Sequence, residues 1–252
     1  MSYNPFSLEG KTILVTGASS GIGRGIAVEC SKMGAKMVVT GRNVERLSET
    51  ISMMEGEGHI SIPVDLSQQE GIDNLVSQCP EINGVVHSAG IPQMCSVKHI
   101  DRKTIEEILN INTITPILLN TLLLKKKKLQ KKSSIVLISS ISGVTIGNVG
   151  EATYSTSKGA LSGYTKSAAY EFAAQGTRVN CINPGLVPTR ILELSNEMFS
   201  AEQLEETTKG RYPLKRYGKP EDIANGAIFL LSDASSWITG INLIIDGGYS
   251  VI

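Results

Sequence analysis

The chain has 252 residues, a length that suits one large α/β domain. Its 24 basic and 24 acidic side chains cancel to a formal net charge of zero, so no overall field favours binding to nucleic acid or to a membrane surface. Hydrophobic residues make up 41% of the chain, which is enough for one core, and we expect a single domain over residues 1–252.

The cysteines and the N-terminal segment argue against a metal site, secretion and membrane insertion. Cys30, Cys79, Cys95 and Cys181 show no C-x-x-C spacing and form no ligand pattern with the three histidines. The segment Met1–Lys11 lacks a basic-then-apolar signal sequence, and no apolar run approaches the roughly 18 residues needed to span a bilayer. We therefore expect a cytoplasmic protein with reduced thiols, no metal and no membrane partner.

The first predicted elements are a strand, a glycine turn and a helix. Thr12–Thr16 is a short β-branched run, and Ile22–Met33 has helical spacing. Glycine lets the backbone pass close to a pyrophosphate, and a helix N-terminus offers free N–H groups to the anion. Such a turn is often only a turn, but its place between strand and helix favours a dinucleotide phosphate site. Its candidate contacts are Gly17, Ser19, Ser20, Gly21, Ile22 and Gly23.

The residues after the second strand indicate which cofactor binds. The predicted strand Lys36–Thr40 runs into Gly41 and Arg42. An acidic residue at this point accepts a hydrogen bond from the ribose 2′-hydroxyl of NAD, whereas an arginine pairs with the 2′-phosphate of NADP. We therefore favour NADP(H) over NAD(H); the alternative is that Arg42 is a solvated loop residue.

The third and fourth strands, Ile60–Val64 and Asn83–His87, lead into further candidate cofactor contacts. Asp65 contacts the adenine, caps the helix that follows near residue 68, or does both. The candidate contacts after these two strands are Asp65, Leu66, Ala89 and Gly90.

Two predicted helical segments, residues 101–110 and 113–128, meet near Asn112. Taken alone, Asn112 reads as a buried side chain bonded to backbone. The run Lys125–Lys132 is the one strong charge cluster of the sequence. Its position favours a solvated helix end that complements the macrodipole, and the alternative is a docking site for an acidic partner such as a phosphopantetheine carrier protein.

The fifth strand, Ser134–Ile138, delivers Ser140 to the carboxyl end of the sheet, where ligands bind in open parallel sheets. In the helix that follows, Tyr154 and Lys158 lie one turn apart on the same face. At roughly 5 Å and an effective dielectric constant of about 20, the lysine charge lowers the pKa of the phenol by about two units. That brings tyrosine toward the range for general acid–base catalysis, although such a pair is often only a solvated face.

The rest of the chain completes an alternating pattern. The sixth strand, Arg178–Ile182, ends in a sharp turn, residues 190–217 form a polar excursion that we interpret as a substrate lid, and a helix precedes the last strand, Ile241–Ile245. Alternation of strands and helices predicts an α/β fold: a Rossmann-type, doubly wound parallel sheet of about seven strands in a single domain.

The ordered set of glycine turn, Asn112, Ser140, Tyr154 and Lys158 resembles the short-chain dehydrogenase/reductase family in its compact form, and is similar to its β-ketoacyl-carrier-protein reductases. The resemblance covers essentially the whole chain. It implies that Tyr154 is the general acid in carbonyl reduction, that Lys158 lowers its pKa and holds the nicotinamide ribose, that Ser140 binds the substrate oxygen, and that Asn112 holds a water linking Lys158 to solvent.

The same resemblance implies further contacts and an assembly. The turn after the sixth strand would lie along the nicotinamide, and the helix of Tyr154 would build a homotetramer together with the last strand. The implied cofactor contacts in that turn are Pro184, Gly185, Val187 and Thr189.

Three features depart from the family pattern. His87 and Ser88 stand where the family usually has two asparagines, which puts the contacts of those positions in doubt. The stretch between Asp65 and Gly84 is shorter than usual. The spacing between Ser140 and the tyrosine is one residue longer than in most members, so Ser142 is a rival to Ser140.

The first hypothesis for function is an NADP(H)-dependent oxidoreductase that interconverts a small ketone or aldehyde with its alcohol. The nearest alternative is reduction of a β-ketoacyl group on an acyl carrier protein. Glu151, three residues before Tyr154, suits a polar or hydroxylated substrate better than an acyl chain. The alternative is that Glu151 is only a carboxylate favoured by the helix N-terminus. A different class of hypothesis is a non-catalytic dinucleotide-binding sensor or scaffold, which would need the glycine turn but not Tyr154.

Overall fold

Seven parallel strands form one sheet in the order β3–β2–β1–β4–β5–β6–β7. The computed structural model describes residues 3–188 and 210–251. The predicted fold class, an α/β doubly wound parallel sheet of about seven strands, is confirmed. The strands are β1 (Thr12–Thr16), β2 (Lys36–Gly41), β3 (Ile60–Pro63), β4 (Ile82–His87), β5 (Leu129–Ile138), β6 (Arg178–Pro184) and β7 (Asn242–Ile245).

Helices cover both faces of the sheet. Side chains along each strand alternate between the two faces, so that Ile13 and Val15 of β1 join one core and Leu14 joins the other. The first core includes side chains of α1, α2 and α7, and the second includes side chains of α3, α5 and α6. The helices are α1 (Gly21–Lys32), α2 (Val44–Ser52), α3 (Gln69–Gln78), α4 (Arg102–Leu109), α5 (Thr115–Lys125), α6 (Ala152–Phe172) and α7 (Pro220–Leu231).

The strand order places a crevice between β1 and β4. The chain moves outward from β1 to β3 and then returns to add β4 on the other side of β1. The connections that follow β1 and β4 run in opposite directions, so a gap opens between the carboxyl ends of these two strands. Open α/β sheets bind ligands in such a gap. The glycine turn after β1 and Ser88–Gly90 after β4 both lie at this gap.

Helices α4 and α5 are joined by one π-helical turn, Asn110–Ile114, which contains Asn112. By length and composition alone, the continuous stretch Arg102–Lys125 passes as apolar enough to cross a membrane, although asparagines and threonines interrupt it. Core helices of α/β proteins pass the same test, and Leu119 and Leu123 of α5 are fully buried in the second core. The stretch is therefore weak evidence for a membrane span.

The lysine run lies at the opposite edge of the sheet from the crevice. Lys125–Lys132 covers the last residue of α5 and the first residues of β5, which begins at Leu129 and not at the predicted Ser134. The start of β5 escaped prediction because its lysines are exposed and show no hydrophobic pattern. The six residues of β5 that follow the run separate it from the carboxyl edge, a distance of about 20 Å at the usual rise per residue.

Candidate active site

Two cavities meet at Tyr154. One, of about 680 Å³, runs along the carboxyl edge of the sheet past the glycine turn, and we call it the nucleotide cleft. The other, of about 540 Å³, contains Ser140 and Glu151, and we call it the substrate cleft. Tyr154 lines both, so one phenol lies between a cavity large enough for a dinucleotide and a cavity for a second molecule.

Helix α6 positions Tyr154 and Lys158. The ammonium nitrogen of Lys158 lies 5.9 Å from the centroid of the Tyr154 ring, as the one-turn spacing predicted. Lys158 Nζ donates a 2.9 Å hydrogen bond to the carbonyl of Ile138, and Ser139 Oγ donates to the backbone carbonyl of Lys158 at 2.7 Å. These two bonds fasten α6 to the carboxyl end of β5 and fix the direction of the lysine.

The charges of this pair differ from the sequence-based expectation. Burial lowers the pKa of Lys158 to about 8. Burial also raises the pKa of Tyr154 above its usual value; the nearby Ser140 hydroxyl lowers it, and the charge of Glu151 raises it. The expectation that Lys158 lowers the phenol pKa by about two units was therefore wrong in direction for this structure, because loss of hydration is the largest influence on the Tyr154 pKa and raises it. A raised pKa keeps the Tyr154 proton in place at neutral pH.

Ser140 and Ser142 have different surroundings. The Ser140 hydroxyl lines the substrate cleft beside Tyr154 and accepts a 3.1 Å hydrogen bond from the backbone N–H of Ser142. The hydroxyl of Ser142 donates to Glu151 at 2.7 Å and accepts from Asn148 at 3.4 Å. Ser142 is thus committed to protein partners, whereas Ser140 faces the phenol.

Asn112 ties the loop after β4 to α6. Its Oδ1 accepts from the backbone N–H of Ile91 at 2.9 Å, and its Nδ2 donates to the Ile91 carbonyl and to Ser157 Oγ, each at 3.0 Å. A Cβ atom on Gly90 would lie 3.1 Å from Asn112 Oδ1 and 3.3 Å from Lys158 Nζ. The Asn112 side chain is therefore hydrogen-bonded to the backbone, as the sequence alone suggests, and it lies next to Lys158.

The glycine turn packs directly on the loop after β4. Gly17 has a φ of +68°, and a Cβ there would lie 2.8 Å from the backbone of Ala89. A Cβ on Gly23 would overlap the carbonyl oxygen of Gly17. Thr16 Oγ1 accepts from the backbone N–H groups of Ser88 and Ala89 at 3.1 and 3.0 Å. Only glycine fits where these backbone segments come so close together, and a loop that binds phosphate needs such glycines.

Two arginines flank the far end of the nucleotide cleft. Arg42 lines it as predicted, and Arg46 in the first turn of α2 lines it as well. Among the described residues, neither guanidinium makes a hydrogen bond or an ion pair. Asp65 Oδ1 accepts from the backbone N–H of Ser67 at 2.9 Å; this bond, aided by the charge of Arg42, lowers the pKa of Asp65. Asp65 thus holds its own turn and also lines the cleft.

The position where the family has asparagine is filled by a buried histidine. His87 Nε2 lies 2.7 Å from Asn120 Oδ1, and Asn120 Nδ2 donates to the Tyr164 hydroxyl at 3.4 Å. Burial lowers the pKa of His87 to about 4, against the Asn120 bond that raises it, so the imidazole is neutral and donates to the amide oxygen. One polar chain thereby links β4, α5 and α6.

The substrate cleft is closed on one side by residues that sequence analysis did not single out. Tyr212 is buried, and Tyr217 and Tyr249 complete an aromatic wall. Arg211 donates to the Tyr249 hydroxyl at 3.3 Å. Their signal is weak in the sequence because they come from two distant segments that meet only in the fold. Residues 189–209, which include Thr189 and most of the predicted lid, lie outside the described residues.

The predicted site residues divide between the two clefts. Arg42, Asp65 and the members of the glycine turn belong to the nucleotide cleft, and the turn after β6 belongs to the substrate cleft. Asn112 lies behind Gly90. The nucleotide cleft is lined by Gly17, Ser19, Ser20, Gly21, Ile22, Gly23, Arg42, Asp65, Leu66, Ala89, Gly90, Tyr154 and Lys158, and the substrate cleft by Ser140, Tyr154, Pro184, Gly185 and Val187.

The nucleotide cleft fits a nicotinamide dinucleotide. Its glycine cradle, the N-terminus of α1 and the two arginines supply what the phosphate groups need, and its volume is sufficient. No group of three or more His, Cys, Asp or Glu side chains that could hold a metal ion occurs in residues 3–188 and 210–251.

Comparison with known proteins agrees with this geometry. A family model described as enoyl-(acyl carrier protein) reductase matches residues 17–250. The 3-oxoacyl-[acyl-carrier-protein] reductase FabG of Rickettsia felis is 35% identical over 245 residues, which cover 97% of this chain and 99% of the relative. A solved structure of a short chain dehydrogenase/reductase family protein is 30% identical, with a TM-score of 0.85 and coverage of 98% of this chain and 100% of that one.

A second solved structure carries a nucleotide. It comes from Beutenbergia cavernae, is provisionally identified as an NAD(P)-dependent gluconate 5-dehydrogenase and holds NADP at low occupancy. It is 32% identical to this chain, with a TM-score of 0.86 and coverage of 99% of this chain and 100% of that one. These likenesses, with the two clefts that meet at a partly buried tyrosine, describe an NAD(P)-dependent oxidoreductase acting on CH–OH and C=O groups. The chain belongs to the short-chain dehydrogenase/reductase family.

Proposed function

We propose that this enzyme reduces a ketone or aldehyde to an alcohol with NADPH, and that Tyr154 is the proton donor. The position of Tyr154 between the two clefts, with a pKa raised by burial, is the observation that carries the proposal. A phenol that keeps its proton at neutral pH is prepared to donate it. A bound NADPH would supply the hydride to the carbonyl carbon and leave as NADP⁺.

The chain's own residues handle the substrate oxygen. The hydroxyls of Ser140 and Tyr154 both face the substrate cleft, where they bind a carbonyl oxygen between them. As negative charge develops on that oxygen, Tyr154 transfers its proton to it and the alcohol forms. The ammonium group of Lys158 stabilises the phenolate that remains.

Lys158 and Asn112 have supporting roles in this proposal. Lys158 lines the nucleotide cleft, where its ammonium group binds a ribose hydroxyl. Asn112 Oδ1 keeps one acceptor site beyond its bond to Ile91 and holds the water through which Lys158 regains protons.

The preference for NADP(H) rests on the pair Arg42 and Arg46. Two guanidinium groups with no partner among the described residues border the nucleotide cleft near Asp65. A third arginine nearby, Arg24, is already paired with Glu49 at 2.9 Å. Arginine recognises phosphate with bidentate, charge-assisted hydrogen bonds, so the unpaired two fit the 2′-phosphate of NADP.

The second candidate function is reduction of 3-oxoacyl groups on an acyl carrier protein. It is favoured by the names of the curated relatives, which are 3-oxoacyl-[acyl-carrier-protein] reductases. The lysine run does not support it, because Lys125–Lys132 lies at the far end of β5, about 20 Å from the clefts. A carrier protein would have to dock elsewhere to deliver its acyl group.

The wider properties follow the same reasoning. We infer one domain over residues 1–252, with residues 190–217 as a lid over the substrate cleft, and a cytoplasmic location, which suits the four free cysteines. We also infer a homotetramer, because large apolar side chains are exposed in two separate places. They are Ile105, Ile114 and Leu118 on α4–α5, and Tyr170, Trp237 and Ile244 near α6 and β7.

The test is turnover by wild type and by Tyr154→Phe. We expect wild type to oxidise NADPH with ketones or acetoacetyl thioesters, and the variant to lose about 100- to 10,000-fold in kcat with NADPH affinity retained. A sensor would behave differently, since neither protein would turn over any carbonyl or alcohol while both bound NADPH. Activity of the variant within a few fold of wild type would exclude Tyr154 as the donor.

A further inference from the structure

A carboxylate lies in the wall of the substrate cleft. Glu151 immediately precedes α6 and lines the same cleft as Tyr154 and Ser140. Its side chain makes no capping hydrogen bond to the helix. A carboxylate at this point complements the helix macrodipole without such a bond, so its hydrogen-bond partners must show what else it does.

The two oxygens of this carboxylate are treated differently. Oε2 accepts from Ser142 Oγ at 2.7 Å and from Asn148 Nδ2 at 2.8 Å. Oε1 has no hydrogen-bond partner among residues 3–188 and 210–251. One oxygen is thus anchored by two donors, and the other is left as an acceptor in the cleft.

The anchoring loop is itself held firmly. Gly143 has a φ of +83°, and a Cβ there would overlap the carbonyl of Ser155 in α6. Its N–H donates to the carbonyl of Ile146 at 3.0 Å, which closes the loop that carries Ser142 and Asn148. The acceptor is therefore oriented before any ligand arrives, the property expected of a binding group.

Glu151 is also close to the reacting centre. It lies three residues before Tyr154, about one helical turn. The charge of Glu151 is one of the causes of the raised pKa of Tyr154. A molecule whose carbonyl oxygen meets Tyr154 would therefore present its neighbouring carbon atoms to Glu151.

We propose that Glu151 determines specificity by accepting a hydrogen bond from a hydroxyl group on a carbon next to the reacting carbonyl. The enzyme then reduces hydroxy ketones in preference to plain alkyl ketones. This inference rests on the proposed function and names its substrate class. An alkyl group in the same place would strip water from the carboxylate and return no hydrogen bond, which makes the discrimination strong.

The test uses two ketones that differ by one group. Hydroxyacetone carries a hydroxyl where butanone carries a methyl, so the ratio of their kcat/KM values isolates one contact. We expect wild type to favour hydroxyacetone about 10- to 100-fold, the range of a hydrogen bond to a charged group. In Glu151→Met the ratio should fall to about one, chiefly through KM, with butanone reduced at least as well as before. Glu151→Gln should fall in between.

The matched control is Glu171→Gln, which removes an exposed carboxylate from the same helix, away from both clefts, and should leave the ratio unchanged. A wild-type ratio near one, or a preference that persists in Glu151→Met, would overturn the inference while leaving the reductase function intact.

Failure of the reductase function itself would look different, since wild type would reduce neither ketone. In that case the binding of hydroxyacetone to the NADPH-loaded protein, measured by saturation-transfer NMR, tests the inference without turnover. Binding that Glu151→Met weakens about tenfold or more supports it, and equal or absent binding in both proteins rejects it.

Discussion

The pKa values of two active-site side chains, the buried Lys158 and the partly buried Tyr154, shift in opposite directions for the same reason. Burial disfavours the charged form, so it lowers the pKa of Lys158 to about 8 and raises that of Tyr154. At neutral pH the phenol is protonated and the amine is charged, which is the state needed to donate a proton to a carbonyl oxygen. In this state the free protein is prepared for reduction.

The first prediction concerns the pH dependence of reduction. Lys158 loses its charge as pH rises through about 8, whereas Tyr154 keeps its proton to higher pH. We therefore expect kcat/KM for carbonyl reduction to be level below about pH 7.5 and to fall above about pH 8. Initial rates measured across this pH range test the prediction. The control is Lys166→Gln, which replaces an exposed lysine of the same helix and should show the same fall above about pH 8. A profile that stays level beyond pH 9 would exclude the Lys158 charge from the rate.

The second prediction concerns the cofactor. Arg42→Ala removes a cation that makes no hydrogen bond or ion pair among the described residues, so its main effect should fall on the 2′-phosphate. We expect the Kd of NADPH to rise about 10- to 100-fold and that of NADH to change less than twofold. Fluorescence titration measures both, and Arg102→Ala, an exposed arginine paired with Glu106, is the control. Equal weakening of the two cofactors would contradict a phosphate-specific role.

At the scale of elements, the chain His87–Asn120–Tyr164 connects one strand to two helices. These elements carry the loop of Gly90, the turn of Asn112 and the helix of Tyr154 and Lys158. Asn120 is fully buried, so a break in the chain leaves a buried amide unsatisfied. A neutral histidine here donates a hydrogen bond within the core.

The third prediction is a pH-dependent loss of stability caused by His87. Its folded-state pKa of about 4 lies below the unfolded value of about 6.5, so the unfolded state binds the proton first. The contribution of His87 is complete above about pH 6.5 and is lost as pH falls toward 4, by about 2–3 kcal/mol. Urea unfolding at several pH values measures it.

The control for that slope is a variant without the titrating group. His87→Gln keeps a donor for Asn120 and should show a shallower fall in the free energy of unfolding between about pH 6.5 and 4. Parallel slopes in wild type and His87→Gln would show that the imidazole remains hydrated.

Sequence patterns predicted the features that depend on neighbours along the chain. The short apolar strands, the glycine turn and the one-turn spacing of Tyr154 and Lys158 are local and could be predicted from the sequence. The partners of His87 and the wall formed by Tyr212 and Tyr249 join segments far apart in sequence, so no local pattern reports them. The direction of the Tyr154 pKa shift was wrong for a related reason: charge spacing is visible in a sequence, but burial is not.

Arg46 was missed although a signal was present. It lies four residues after Arg42, in the first turn of α2, where a basic side chain can turn back over the end of β2. Glu151 was noticed but left ambiguous, because only the structure separates a capping carboxylate from one that points into a cleft. In both cases the sequence shows the type of residue but not the direction in which its side chain points.

At the scale of the whole molecule, the two edges of the sheet are chemically different. The carboxyl edge carries both clefts, and the amino edge carries the lysine run. Lys127 and Lys132 there adopt positive φ angles of 55° and 61°, which non-glycine residues seldom do. Because the clefts lie at one edge and this charge at the other, we expect the lysines to make no contact with a bound ketone.

The last prediction concerns assembly. Ile114 and Trp237 are 44% and 98% exposed and belong to the two apolar patches, one on α4–α5 and one near α6 and β7. A patch that pairs with itself about a twofold axis makes a dimer, and two such patches on one chain make a tetramer with two kinds of contact. Apolar side chains this exposed are typical of surfaces that another subunit covers.

Each patch can therefore be broken separately. We expect Ile114→Glu and Trp237→Glu each to convert a tetramer of 27.0 kDa chains to dimers, and the double variant to give monomers, as measured by light scattering after size exclusion. The control Lys131→Glu changes charge on the lysine run and should remain tetrameric. Because both substituted side chains are exposed, a variant that keeps its far-ultraviolet circular dichroism but not its mass has lost only the interface. A monomeric wild type, or tetramers in the double variant, would exclude these patches as subunit contacts.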